Sequence, residues 1–346
     1  MLNTISRLAA SAAALAASML AAQTASADAV ADFYKGRNVT IVVAAGPGGG
    51  HSVYSQLLAP GLQKYTPGNP NFIIQNMGGA GGTKAANYLS TAAPQDGSYI
   101  GILLQDTPLA ARLRATGIKY DPSKFHYLGG AEITRSAFVM MKHSGIKSLE
   151  DAKKKEVLLG SSGKGSQTFI VPTLVNSVLG TKFKPIMGYQ GMGAIYLAME
   201  RAEVQGFQSV WSALSYIKPD WVAKGDVYPI AAMSLDKLPD RPDVPLIIDL
   251  ITDPKDKEIV ELFSGSGVIG RCWLAPPDIP KDRLAALIAA FDKTFADPEI
   301  IAQAKKRKLP WEPVSAKQLQ DQVQRIVDAD AGTITRLRGI LGIAQN

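Results

Sequence analysis

The chain has 346 residues, 46% of them hydrophobic, with 37 basic and 30 acidic side chains and a formal net charge of +7. That length and apolar content can bury the cores of two ordinary domains. The modest positive field has no basic stripe and no interleaved aromatics, which argues against a nucleic-acid surface; it can steer small anions inward or simply be a soluble basic surface.

The first 27 residues read as a secretory signal peptide. Arg7 gives a positive start, Leu8 to Ala22 form an alanine- and leucine-rich run, and Ala25-Ser26-Ala27 makes a small-x-small cleavage site before Asp28. No later segment reaches about 18 uninterrupted apolar residues, so a soluble mature protein in a bacterial periplasm is expected. A single cysteine, Cys272, rules out an intrachain disulfide, and burial must hold the fold.

A β-branched strand over 39–45 then runs into Gly46-Pro47-Gly48-Gly49-Gly50-His51-Ser52. An amphipathic helix over 52–64 follows, with Tyr54, Leu57, Leu58 and Leu62 at helical spacing, Ser52 at its N-cap, and a kink at Pro60. The glycines let backbone N–H groups close on a ligand, and a helix start adds the positive end of its dipole. No Lys-Ser or Lys-Thr follows the glycines, which excludes a nucleotide P-loop and points to a small anion, a carboxylate.

Further strands are expected over 72–76, 99–105, 137–141, 157–160, 183–187, 206–210 and 228–233. Helices are expected over 83–91, 148–154, 167–179, 193–201, 282–296, 298–308 and 315–341, the last opened by the capping box Ser315-Ala316-Lys317-Gln318. This alternation predicts an α/β fold with largely parallel pairing. A second anion loop, Ser161-Ser162-Gly163-Lys164-Gly165-Ser166-Gln167-Thr168, joins the strand at 157–160 to the helix at 167–179; Gly165 and Leu158 break any Walker pattern. Gly188-Tyr189-Gln190-Gly191 repeats the strand-to-helix glycine turn after 183–187.

The residues do not assemble an enzyme. His51, His126 and His143 are the only histidines and lack metal spacing, while Cys272 sits in the apolar run Gly270-Arg271-Cys272-Trp273-Leu274 as a core thiol. Neither catalysis nor a cofactor is expected. Phe207 and Trp211 are read as core, and the runs Lys153–Lys155 and Lys305–Lys308 as solvated helix surface.

Several runs together resemble the extracytoplasmic solute receptors of the tripartite tricarboxylate transporter system, the Bug family. They are Gly48-Gly49-Gly50, Gln75-Asn76-Met77-Gly78-Gly79-Ala80-Gly81-Gly82, Ala93-Pro94-Gln95-Asp96-Gly97 and Gly163–Ser166, then Gly188-Tyr189-Gln190-Gly191, Ala198-Met199-Glu200-Arg201 and Pro242-Asp243-Val244-Pro245. The resemblance implies a type II periplasmic-binding-protein fold, two α/β lobes with a ligand cleft between them. Lobe one would comprise 28–132 and 235–346, and lobe two 133–234.

By the same resemblance, Gly49, Gly50, His51 and Ser52 would hold a ligand carboxylate from the first lobe. Ser161, Gly165, Ser166, Gln167 and Thr168 would hold it from the second, with Tyr189, Gln190 and Gly191 as one wall and Gln105 and Asp106 facing the same cleft. Ser52, Gln56 and Gln205 stand where the family often has Asp, Arg and Asp. That leaves an uncharged wall, with Gln205 in it, which favours a plain carboxylate over an amino acid. The implied partners are a small organic carboxylate and the large and small membrane permease subunits, with the receptor itself a monomer. The alternative output is a ligand sensor that presents its closed form to a signalling membrane protein.

Overall fold

The computed structural model describes residues 29–114 and 116–343. The signal peptide expected over 1–27 lies outside the described residues. Among the described residues ten strands follow in chain order. The first five are β1 (Asn38–Val43), β2 (Asn71–Asn76), β3 (Tyr99–Ile102), β4 (His126–Gly130) and β5 (Ser136–Met141). The others are β6 (Val157–Ser161), β7 (Phe183–Met187), β8 (Gly206–Val210), β9 (Val227–Met233) and β10 (Cys272–Ala275).

The strands build two five-stranded sheets, ordered β2-β1-β3-β10-β4 and β7-β6-β8-β5-β9. Both sheets share one plan. A parallel trio is built on β1 or β6, and beside it runs a strand of opposite direction, β10 or β5. Each reversed strand is the one on which the chain arrives from the other sheet. The expected largely parallel pairing is therefore corrected to an even mixture. The two crossings lie side by side: Thr134 N–H donates to Gly267 O at 2.9 Å, and a Cβ on Gly267 would stand 2.2 Å from Thr134 O.

Alternation along the strands sorts the core onto the two faces of each sheet. On the first sheet Ile41, Val43 and Trp273 join Tyr54, Leu57, Leu58 and Phe291 on one side. Val42 and Leu274 join Leu89 on the other. The eight expected strands form, and β4 and β10 are additional. Within β4, Gly129 has φ +143°, and the Phe295 ring stands 2.5 Å from where its Cβ would be. The helix Gly50–Tyr65 runs through Pro60. The helix expected over 315–341 is two, Ala316–Val327 and Ala331–Ile340, because Asp330 accepts from Thr333 N–H and caps a new start. The Ser315 capping box forms as expected. The plan brings the carboxyl ends of β1 and β3 to face those of β6 and β8, the ends where open α/β sheets hold their ligands.

Candidate functional site

The helix Gly50–Tyr65 begins at the end of the loop after β1. Its N-cap is Gly49, in extended backbone and with no side-chain cap, so the expectation of Ser52 at that position is corrected. Ser52 lies inside the first turn, 2% exposed, and its hydroxyl accepts from Asn76 Nδ2 at 2.7 Å. Asn76 also donates to Ala45 O at 2.9 Å, stitching the loop to β2. The Ser52 side chain is therefore engaged, and what the turn presents is backbone: the first amides of a helix have no partner within it and sit at the positive end of the dipole.

Gly50 has a role that the sequence did not reveal. A Cβ there would stand 2.6 Å from Arg271 Nη2 and 2.7 Å from Tyr216 Oη. Arg271 is 4% exposed and its Nε lies 3.5 Å from Glu132 Oε2, itself 1% exposed. Ser212 donates to Glu132 Oε1 at 2.6 Å. Burial pushes the Tyr216 hydroxyl up to about 12, and burial together with the neighbouring Arg271 cation holds His51 well below its ordinary value. The His51 ring lies beside the Leu103 backbone, and among the described residues its Nε2 has no partner. Reading the sequence missed Arg271, Glu132 and Tyr216. The available signal was Arg271 itself, a charge inside the run Val268 to Leu274, where burial demands a partner.

The loop after β6 is held by its own hydroxyls. Ser166 Oγ donates to Gly163 O at 2.8 Å and lies 2.6 Å from Thr168 Oγ1. Thr168 Oγ1 is in turn 3.2 Å from Ser161 Oγ and accepts from Ser162 N–H. Gly163 N–H donates to Ser161 at 3.3 Å. Ser161, Ser166 and Thr168 thus form one internal chain, which orients the backbone of the loop.

Several further contacts join this half of the molecule to the first. Tyr216 meets Arg271 over Gly50. The backbone of Gly81 meets that of Gly165: a Cβ on Gly81 would stand 2.4 Å from Gly165 O. Arg114 holds Ala80 O at 3.2 Å and Thr83 Oγ1 at 2.9 Å and fills the space where Gly165 would carry a Cβ. Finally Asp106, 6% exposed at the end of the turn after β3, faces the side chain and backbone N–H of Gln167 at the start of the helix Gln167–Leu179. Burial pushes the Asp106 carboxyl up to about 7 against the pull of those two donors. Among the described residues its Oδ1 has no partner.

The structure brings Gly49, Gly50, His51, Asp106, Gly165 and Gln167 to this seam, and Gln190 also reaches it, its carbonyl 3.8 Å from the Cβ direction of Gly46. Gly191 N–H bonds back to Tyr189 O at 2.9 Å, closing that turn. Three expected side chains are corrected. Gln205 lies before β8 and accepts from Leu158 N–H at 2.8 Å, at the opposite end of β6 from the 161–168 loop. Tyr189 packs on the apolar cluster around Ile195 and Met199, and Glu203 faces its hydroxyl. Gln105 is drawn to the crossing, where Thr134 donates to its Oε1 at 2.5 Å. Cys272 is buried with its thiol pushed up to about 12. Phe207 and Trp211 lie in the core, Trp211 Nε1 donating to Asp240.

No protein-family profile and no curated protein matches this sequence. Solved structures do match in shape. Periplasmic binding protein BugD superposes with a TM-score of 0.70 at 20% identity, covering 90% of this chain and 100% of BugD. A Rhodopseudomonas palustris protein with adipate gives 0.68 at 19% identity, over 89% of this chain and 98% of that one. MatC from Rhodopseudomonas palustris, with bound malate, gives 0.66 at 19% identity, over 88% and 99%. At these identities the likeness establishes the fold alone: the two-lobed α/β architecture that these structures share, with the seam just described between the lobes.

Proposed function

We propose that this protein is a periplasmic receptor that captures a small organic carboxylate between its lobes and delivers it to a tripartite tricarboxylate-type membrane transporter. Lobe one would span 28–132 and 235–346, and lobe two 133–234. The observation that carries the reading is the uncapped helix start at Gly49–Ser52, set beside a buried cation, Arg271, and the His51 Nε2, unpartnered among the described residues. Backbone amides and a helix dipole favour a carboxylate, and Glu132 neutralises Arg271 so that the site does not carry an uncompensated buried charge. The resemblance to the Bug receptors and the malate and adipate seen in structures of like shape agree with that ligand class.

Four or five hydrogen bonds to a charged group, each about 1.5–3 kcal/mol, less the cost of association, reach roughly −8 kcal/mol, a micromolar affinity. Contacts from both lobes to one ligand stabilise the joined form selectively, and a membrane partner can read that form. Thermal denaturation against mono-, di- and tricarboxylates tests the proposal. An acid present at 100 times its Kd stabilises the native state by about 2.7 kcal/mol. A panel in which no acid raises the melting temperature contradicts the reading.

A further inference from the structure

The polar groups that close the seam do not all attract an anion. The helix Gln167–Leu179 begins against the protein's own carboxylate: the Gln167 side chain and backbone N–H face Asp106. That helix start is therefore already supplied with an acidic group, and the ligand carboxylate falls to the first-lobe helix start at Gly49–Ser52. Asp106 itself is 6% exposed, and among the described residues its Oδ1 has no hydrogen-bond partner. A buried carboxylate oxygen without a donor costs free energy unless something supplies one.

β1 and β3 are adjacent parallel strands, and the loops that follow them meet: the His51 ring lies against the backbone of Leu103, three residues before Asp106. A ligand carboxylate at Gly49–Ser52 therefore has Asp106 on the neighbouring loop. Gln208, in the middle of β8, adds a second buried side chain, 0% exposed, with neither Nε2 nor Oε1 partnered.

From this juxtaposition we infer that the ligand carries a hydrogen-bond donor, a hydroxyl or an ammonium, close to its carboxylate, and that Asp106 is the specificity-determining residue that accepts from it. The inference rests on the carboxylate-receptor reading and narrows its substrate class to hydroxy or amino acids. It also replaces the uncharged wall expected from Ser52, Gln56 and Gln205 with a wall that contains one acidic group.

Calorimetry on the full mature chain decides the matter with acids matched except at one substituent. The series are propionate, lactate and alanine; succinate, malate and aspartate; glutarate, 2-hydroxyglutarate and glutamate; and phenylacetate, mandelate and phenylglycine. In at least one series the hydroxy or amino acid should bind about ten- to a hundredfold more tightly than its unsubstituted parent, the worth of a hydrogen bond to a charged group. Asp106→Ala should abolish that difference, so that within the variant the hydroxy or amino acid binds within about threefold of its parent. The hydroxy and amino arms separate the two donors. Parent acids that bind as tightly as their substituted partners overturn the inference and leave the receptor reading intact, as does a preference that survives in Asp106→Ala. If no acid of any series binds, the receptor reading falls and the inference with it.

Discussion

The hydroxyl of Tyr216 stands against the guanidinium of Arg271 directly over the Cα of Gly50. These residues come from opposite halves of the molecule, so the contact ties the first anion loop to the second lobe through one glycine. Gly50→Ala should therefore do more than narrow a ligand space. Its Cβ would stand 2.6 Å from Arg271 Nη2 and 2.7 Å from Tyr216 Oη, an overlap of the kind that costs about 1–3 kcal/mol. Melting curves of the ligand-free variant should show that loss, and calorimetry a weaker affinity. A variant as stable as wild type that binds as tightly would show that Tyr216 and Arg271 yield freely.

Arg271→Met should be among the most damaging single substitutions, because it strands Glu132, which is 1% exposed. Removing one partner of a buried pair costs about 3–5 kcal/mol. Adding Glu132→Gln to Arg271→Met should restore part of that loss, since the stranded charge disappears. Denaturant titration of the single and double variants measures both. A double variant less stable than the single one would mean that Glu132 is satisfied without Arg271.

Asp106 gives a pH signature. Its pKa rises from 3.8 to about 7 on folding, chiefly through burial. An acid whose pKa is raised on folding holds its proton more firmly in the native state. Its contribution to stability is therefore complete below the unfolded value and declines as pH climbs through the window from 3.8 to about 7. Asp106→Asn should remove that decline, so the variant gains on wild type across the window and the gain levels off above it. Urea denaturation at several pH values gives the slope, and parallel curves for the two proteins would place the carboxyl in water.

The sequence and the structure part company most clearly at Ser166. Read alone, Ser166 suits a ligand carboxylate; folded, its hydroxyl donates to Gly163 O at 2.8 Å and meets Thr168. Ser166→Ala should cost about 1 kcal/mol of stability, the worth of an ordinary hydrogen bond, and change affinity less than about threefold. A tenfold loss of affinity with unchanged melting would return the hydroxyl to the ligand.

Local patterns made much of this architecture legible. The strands over 39–45, 157–160 and 183–187 and the glycine loops after them fall where periodicity and glycine place them. The missed parts are those defined by distant neighbours. β10 pairs with β3 and β4 from far along the chain, and β4 needs glycine for the Phe295 ring. Within the site, loop backbones could be read because glycine patterns are local. Side-chain directions could not: Gln205 reaches Leu158 N–H, Gln105 reaches Thr134, and Arg114 crosses to Gly165 through folding alone. Arg271 was the readable exception, a charge in an apolar run.

The central claim is that one ligand is held by loops of both lobes at once. Amide hydrogen exchange on the mature protein, with and without the tightest-binding acid of the panel, tests it most directly. Exchange should slow together at residues 50–52 and 163–168, with the groove lined by Lys147, Tyr228 and Arg241 unchanged. Protection confined to one of the two loops, or centred on that groove, would contradict capture between the lobes.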